Sequence, residues 1–345
     1  MQAEEQQAGA GVLAAPAEWS LPKRPSVPAN LWKFTRRKPL GALGVLIVLI
    51  MMAMTLGTPT GDVGVPSLPS APLGFELGKP WMARYSAETT FREAETGRIA
   101  QYIAPGADHW LGTDRGGRDT YSRVVYGARR SLFIGLWALA FATIAGTAIG
   151  VVSAYFSGWS DTLIQRVMDS LQAFPALLIL ILLISLFPPD LTVLAIGLGF
   201  VGVTSVQRIV RGVVLSTREQ PYVEAARVVG ATDLRIMGVH ILPNIMAPII
   251  VVFSIGLGAV ILAEAAISFI SPQRVPQDPS WGIMLNVTRD SLPTISLPLL
   301  GTIVEGRAEG WHTLSAGGAI VFAVLGFNLA GDALRDVLDP RLRVG

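Results

Sequence analysis

Charged residues are missing from six stretches of the chain: Leu40–Leu56, Ser131–Ser160, Ser170–Pro189, Leu191–Gln207, Ile241–Ala263 and Gly310–Gly331. A single aspartate, Asp190, separates the third from the fourth. Each stretch is about as long as the ~17–25 residues a helix needs to cross the roughly 30 Å hydrocarbon core of a bilayer. Helix is the required form there, because lipid offers no partner to backbone N–H and C=O groups. The pattern therefore predicts an all-α polytopic membrane protein with six transmembrane helices. A seventh apolar stretch, Ser291 to Val304, is short and interrupted by Pro293 and Pro298, and suits an interfacial or re-entrant segment better than a span. The first stretch follows a tail with Pro16, Pro22, Pro25 and Pro28 and ends without a small-residue cleavage site. It therefore reads as a retained anchor rather than a removed signal.

The polar positions set the expected orientation. Lys33, Arg36, Arg37 and Lys38 crowd the start of the first span, which favours a cytoplasmic amino terminus. Six spans return the carboxyl terminus to the same side, where Arg335, Arg341 and Arg343 agree. Arg208, Arg211, Arg218, Arg227 and Arg235, between spans four and five, agree too. Arg115, Arg118, Arg123, Arg129 and Arg130 do not, because this topology puts them outside. The expected organisation is a cytoplasmic tail (1–38), a first transmembrane helix (39–58), an external segment leading to an interfacial helix (59–130), a five-helix core (131–335) and a second cytoplasmic tail (336–345). In the second span Ala138, Ala142, Gly146 and Gly150 recur every four residues, a stripe that lets another helix approach closely.

Composition narrows the function. The chain of 345 residues is 51% hydrophobic and only 15% charged, which argues against a soluble enzyme. A formal charge of +2 lacks the basic excess of a nucleic-acid binder. With no cysteine there is no disulfide, thiolate metal site or cysteine nucleophile, and the three histidines, His109, His240 and His312, are far apart in sequence. No lysine follows Lys79, so most of the chain cannot hold the lysine of a P-loop. Gly197-Leu198-Gly199-Phe200-Val201-Gly202 matches a dinucleotide fingerprint, but inside an apolar block with no preceding strand the match is accidental. The chain is thus expected to bind no cofactor and no metal of its own.

Two features carry candidate function. Glu264 is an ionisable residue at the end of a span, costly in lipid unless paired, protonated or facing water. It either lines a pathway or gate, with Ser268 and Phe269, or is hydrogen-bonded to a neighbouring helix. The second feature is the segment from Thr217 to Thr232, which holds Pro221-Tyr222-Val223-Glu224-Ala225-Ala226-Arg227 and then Gly230. Pro221 suits a first helical turn, Glu224 favours the positive helix end, and Gly230 can terminate by turning left-handed. Physics alone leaves two readings, a partner-docking helix or an ordinary connection.

The spacing Glu224-Ala225-Ala226, three residues, Gly230, nine residues, then His240-Ile241-Leu242-Pro243 resembles the "EAA" loop of bacterial ABC-importer permeases. Other segments are similar to the dipeptide/oligopeptide/nickel permeases, and among them to the second, C-type subunit. These are His109-Trp110-Leu111-Gly112-Thr113-Asp114 with Gly117-Arg118-Asp119, Ser122-Arg123 and Tyr126-Gly127-Ala128-Arg129. They continue with Arg166, Asp169 and Ala173-Phe174-Pro175, Pro279-Ser280-Trp281-Gly282 with Asn286, and the ending Phe327-Asn328-Leu329-Ala330-Gly331-Asp332 through Asp339-Pro340-Arg341. The resemblance runs from about residue 30 to 345. Two departures stand out: Ser268-Phe269-Ile270-Ser271-Pro272 replaces a Gly-rich stretch, and the loop before the last span is longer than usual.

The resemblance implies a type I importer-like permease subunit in the bacterial plasma membrane, both termini cytoplasmic, forming half of a translocation pathway. Its partners would be a homologous permease subunit, two cytoplasmic ATPase subunits that bind ATP and Mg, an external solute-binding protein and the lipid bilayer, with no nucleic acid. Tyr222, Glu224, Ala225, Ala226, Arg227, Gly230, His240, Leu242 and Pro243 would form the ATPase-coupling element. Peptides are the leading cargo, with nickel complexes or other small solutes as alternatives. An ion-coupled secondary transporter is the competitor from another class, but it would want more buried ionisable groups at the midplane.

Overall fold

The computed structural model describes residues 35–36, 38–56, 82–94, 96–275, 278–288 and 309–338. The apolar segment 291–304, the ending Asp339-Pro340-Arg341 and most of the tail 1–38 lie outside the described residues. The chain divides into two units, Met1–Pro39 and Leu40–Gly345, and the second holds the helical bundle. Its helices are α1 (Pro39–Leu56), α2 (Thr120–Phe156), α3 (Gly158–Gln172), α4 (Ala176–Leu186), α5 (Leu191–Thr217), α6 (Pro221–Val228), α7 (Leu242–Ile270), α8 (Trp281–Thr288) and α9 (Glu309–Leu338). Among the described residues there is no strand, only three isolated bridges between residues 90 and 119.

Among the described residues five helices are long and apolar enough to span a membrane: α1, α2, α5, α7 with its lead-in from Asp233, and α9. The stretch Ser170–Pro189, expected to be one span, is instead broken. Helices α3 and α4 meet there at 86°, and together they count as at most a sixth span. The cause is Pro175. It has no N–H to donate and pushes the preceding residue out of the helical region. At its amino end α2 begins eleven residues before the charge-free block, so Arg123, Arg129 and Arg130 are helical and buried.

The bundle is assembled through small residues. A Cβ on Gly146 would lie 2.8 Å from Val206 Cβ, and one on Gly150 would lie 2.9 Å from the Gln207 carbonyl oxygen. From the other side, a Cβ on Gly199 would come within 2.6 Å of the Ala138 carbonyl oxygen. The four-residue stripe of α2 is therefore the seam with α5, and Gly199 and Gly202 of the false dinucleotide fingerprint serve that contact, while Gly197 faces Leu180 of α4. The same close approach joins α1 to α9, where a Cβ on Gly44 would lie 2.5 Å from Ala330 N. Gly258 and Gly331 bring α7 and α9 together, against Val324 and Ile255 respectively.

Before α2, residues 82–94 and 96–119 form an irregular cap fastened by the motif that opens the second span. The Asp114 carboxylate accepts from the backbone N–H groups of Gly116 (2.8 Å) and Arg118 (2.9 Å) and from Arg118 Nε (2.9 Å). Asp119 caps α2 by accepting from Ser122 N at 2.8 Å, while its other oxygen meets His109 Nδ1 at 2.8 Å. Gly112 has φ +72, and a Cβ there would collide with the Ile103 carbonyl oxygen at 2.2 Å. The histidine, the glycine and both aspartates of the motif thus build a turn and a helix start.

Candidate functional site

The loop after α5 folds into a short helix with one face anchored and one face open. Gln220 leads in with extended backbone, and Pro221 occupies the first turn of α6. At the far end, Gly230 N–H donates to the Arg227 carbonyl (3.0 Å) and Ala231 N–H to the Ala226 carbonyl (3.0 Å). These bonds, with Gly230 at φ +88, make a Schellman termination that satisfies the last carbonyls. Only Val223 is buried on α6, in an apolar cluster with Val214, Ile236, Ile241 and Tyr155 from α5, α2 and the lead-in to α7. Tyr155 donates to Asp233 Oδ1 at 2.6 Å, and Arg218 Nη1 to the Ala154 carbonyl at 2.6 Å. The Arg227 guanidinium lies 6.0 Å from the Tyr155 ring.

Away from Val223 the surface is bare: Tyr222, Glu224 and Ala225 are exposed and Ala226 is half-buried. Arg227, one turn on from Val223 and on its side of the helix, is exposed too. Val228 and Val229 are 83% and 87% exposed and Leu234 is 80% exposed, so apolar side chains flank the helix on its open side. His240, in the lead-in to α7, and Leu242 and Pro243, in its first turn, are not part of α6. Ile236–Ile241 forms a π-helical turn closed by Leu242 N–H bonding to the Met237 carbonyl. Pro243 cannot donate to the carbonyl four residues back, which accounts for the widened turn. The His240 carbonyl accepts from Asn244 Nδ2 at 2.6 Å.

Glu264 proves to be a packing centre. It is 0% exposed, and its oxygens accept from Ser268 (2.8 Å) and Ser280 (3.0 Å), with Ser131 at 3.3 Å. Arg130 Nε lies 3.7 Å away, and the same guanidinium donates to the Asp278 carbonyl at 2.6 Å. Of the two readings of Glu264, the geometry supports the hydrogen-bonded one. Ser268 is buried against it, and half-buried Phe269 offers its carbonyl to Asn286 Nδ2 at 2.6 Å. Trp281 adds a bond from Nε1 to the Val124 carbonyl at 3.0 Å and fills the space over Gly127. These contacts weld α8 to α2 and α7.

Polar contacts between α3 and α5 are a third group, one that sequence reasoning missed. Arg211 grips Asp161 with two bonds, Nε to Oδ1 at 2.8 Å and Nη2 to Oδ2 at 2.6 Å. Ser153 and Gln165 donate to the same carboxylate. Arg208 pairs with Asp169 at 3.2 Å. The signal available was an arginine pair three residues apart at the end of an apolar block, which had been counted only as loop charge. Gln207, next to Arg208 and packed on Gly150 in the α2–α5 seam, is fully buried, and among the described residues neither amide atom has a partner.

These geometries accompany a clear kinship. Residues 146–344 match the family described as "Binding-protein-dependent transport system inner membrane component", and the chain belongs to that family. It is a transmembrane permease of the ABC importers, of the dipeptide/oligopeptide group, and a non-catalytic component whose partner ATPases hydrolyse ATP. It is similar to the dipeptide transport system permease protein DppC of Alkalihalophilus pseudofirmus, at 38% identity over 74% of this chain and 79% of the relative. It is also similar to the glutathione transport system permease protein GsiD of Escherichia coli, at 34% identity over 76% of this chain and 80% of the relative. The family and the apolar helices together make it a multi-pass protein of the inner membrane that works with ATPase and solute-binding partners.

Proposed function

We propose that the chain forms half of a peptide translocation pathway and is driven through α6 by cytoplasmic ATPase subunits. The observation that carries this reading is α6 itself, a rigidly terminated helix held by Val223 while its other face stays bare. A connecting helix would gain nothing from leaving Val228, Val229 and Leu234 in water, whereas a partner's groove would cover them. Tyr222, Glu224, Ala225 and Ala226 would line that contact and Arg227 would meet acidic groups of the ATPase. His240, Leu242 and Pro243 would set the angle at which α7 receives the motion.

Closure of the ATPase dimer would push on α6. Val223, the Tyr155–Asp233 bond and Arg218 would pass the displacement to α2, α5 and α7 as one body. ATP and Mg would be held by the two ATPase subunits, a homologous permease would supply the other half of the pathway, and a solute-binding protein would deliver cargo outside. Di- or oligopeptides are the cargo this reading takes, in line with the names of the relatives.

Both termini would be cytoplasmic, on the side of α6. The arginines before the second span then lie outside, where three of them are fastened into the fold. Arg118 is bound to Asp114 and Glu88, Arg123 is buried beside the same two carboxylates, and Arg130 is buried beside Glu264. The cations at the start of the first span set the orientation in this reading. The test is Gly230→Val, which forces a branched side chain into left-handed backbone where a Cβ meets no neighbour. The expected result is normal insertion with peptide uptake lost and ATP hydrolysis uncoupled from it. Normal uptake would refute the docking role.

A further inference from the structure

The outward surface of α5 changes character along its length. Ile196 and Phe200 are exposed on one side, as suits lipid. Towards α6 the exposed positions include Ser205, Arg208, Ile209, Gly212 and Ser216. At 3.6 residues per turn these five fall within an arc of about 100°, roughly opposite Ile196 and Phe200, with Ile209 at its edge. Arg208 and Asp169 pair across the gap between α5 and α3 at 3.2 Å, yet their side chains remain 58% and 56% exposed. The contrast with Asp161–Arg211 one turn on is informative, because that pair is bidentate and mostly buried.

Depth decides what surrounds the exposed pair. Gly150 of α2 packs on Gln207 and Val210, so Arg208 sits at the level of Gly150. Beyond that level, towards α6, α2 still exposes Val152 and Phe156. At 1.5 Å per residue, Phe156 is about 9 Å further along the axis. The arginine is thus uncovered at a depth where the neighbouring helix presents apolar side chains. A charge facing lipid there is costly, and ionisable residues in spans characteristically face a water-filled cavity.

We propose that the face of α5 bearing Ser205, Arg208, Gly212 and Ser216, crossed by the Arg208–Asp169 pair, is a wall of the aqueous passage on the α6 side. The inference rests on the importer reading and deepens it, because it assigns pathway residues after Glu264 and Ser268 proved buried. A guanidinium beside a carboxylate, both hydrated, suits the passage of a zwitterionic solute: each of its charged ends meets an opposite charge in turn, and neither is held by a buried, fully bonded site.

The absence of cysteine makes the test direct. Ser205→Cys and Gly212→Cys are introduced singly into the full transporter, with Ile144→Cys and Val152→Cys as exposed apolar controls at the respective depths. Inverted vesicles are treated with the membrane-impermeant cation 2-(trimethylammonium)ethyl methanethiosulfonate, and modification of this chain is followed over time. The expected result is that each variant reacts at least tenfold faster than its control without nucleotide. Trapping the ATPases closed with vanadate should slow Ser205→Cys at least fivefold. Reaction as slow as the controls in both states would place the stripe against lipid or the second permease and overturn the proposal. Fast reaction unaffected by trapping would show a wet surface outside the gated passage and overturn it equally. Uptake by the unmutated transporter, measured alongside, separates failure of the importer reading from failure of the pathway assignment.

Discussion

Glu264 and Gln207 are both polar, both fully buried and both in apolar helices, yet they call for opposite expectations. Glu264 is satisfied by three hydroxyls and an arginine. Glu264→Gln should therefore remove one carboxylate partner of buried Arg130, which keeps Asp278, and cost at most about 3–5 kcal/mol, read as a lowered unfolding temperature in detergent. Replacing both, Glu264→Leu with Arg130→Met, should cost much less than Glu264→Gln alone, since neither charge is then buried unpaired. Gln207 buries an amide with no partner among the described residues. Gln207→Met keeps the volume and removes the desolvation penalty, so it should raise stability by about 1–3 kcal/mol in the same assay. The sequence flagged Glu264 as a cost to be explained. It could not show the explanation, because Ser131 lies 133 residues away and meets it only through tertiary packing.

At the scale of elements, the helix starts and stops were legible wherever local chemistry governs them. Pro221 and Gly230 bound α6 as their backbone preferences require. The four-residue stripe of α2 also emerged as a contact surface, although its partner was not named by the pattern. Gly146→Leu should drive α2 from α5, because even a Cβ there lies 2.8 Å from Val206. Loss of the assembled transporter in detergent chromatography is the expected outcome. Gly318→Leu, where a Cβ meets nothing within 4 Å, should leave assembly intact. The apolar run Ser170–Pro189 implied a span but not its course: α3 ends inside its first residues, and after Pro175 the chain continues as α4 at 86° to α3. Apolarity reports solubility in lipid; it says little about direction.

For the whole molecule, charge exclusion determined the class. Burying six apolar blocks in 345 residues leaves a bilayer as the natural solvent. If α6 and both termini share the cytoplasm, green fluorescent protein fused after Gly345 should fluoresce, whereas alkaline phosphatase fused there should be inactive. The reverse pattern would invert the topology. The sequence by itself determined the helices' apolar cores, the α6 boundaries and the membership of a permease family, because hydrophobic length, proline and glycine preferences and motif spacing are local properties. Only the tertiary structure decided which charges are spent on packing and which face outward. Arg118, Arg123, Arg130 and Glu264 became fasteners, while Arg208 and Asp169 stayed uncovered. That division depends on which residues, distant along the chain, come within a few ångströms, since burial and pairing set the cost of a charge.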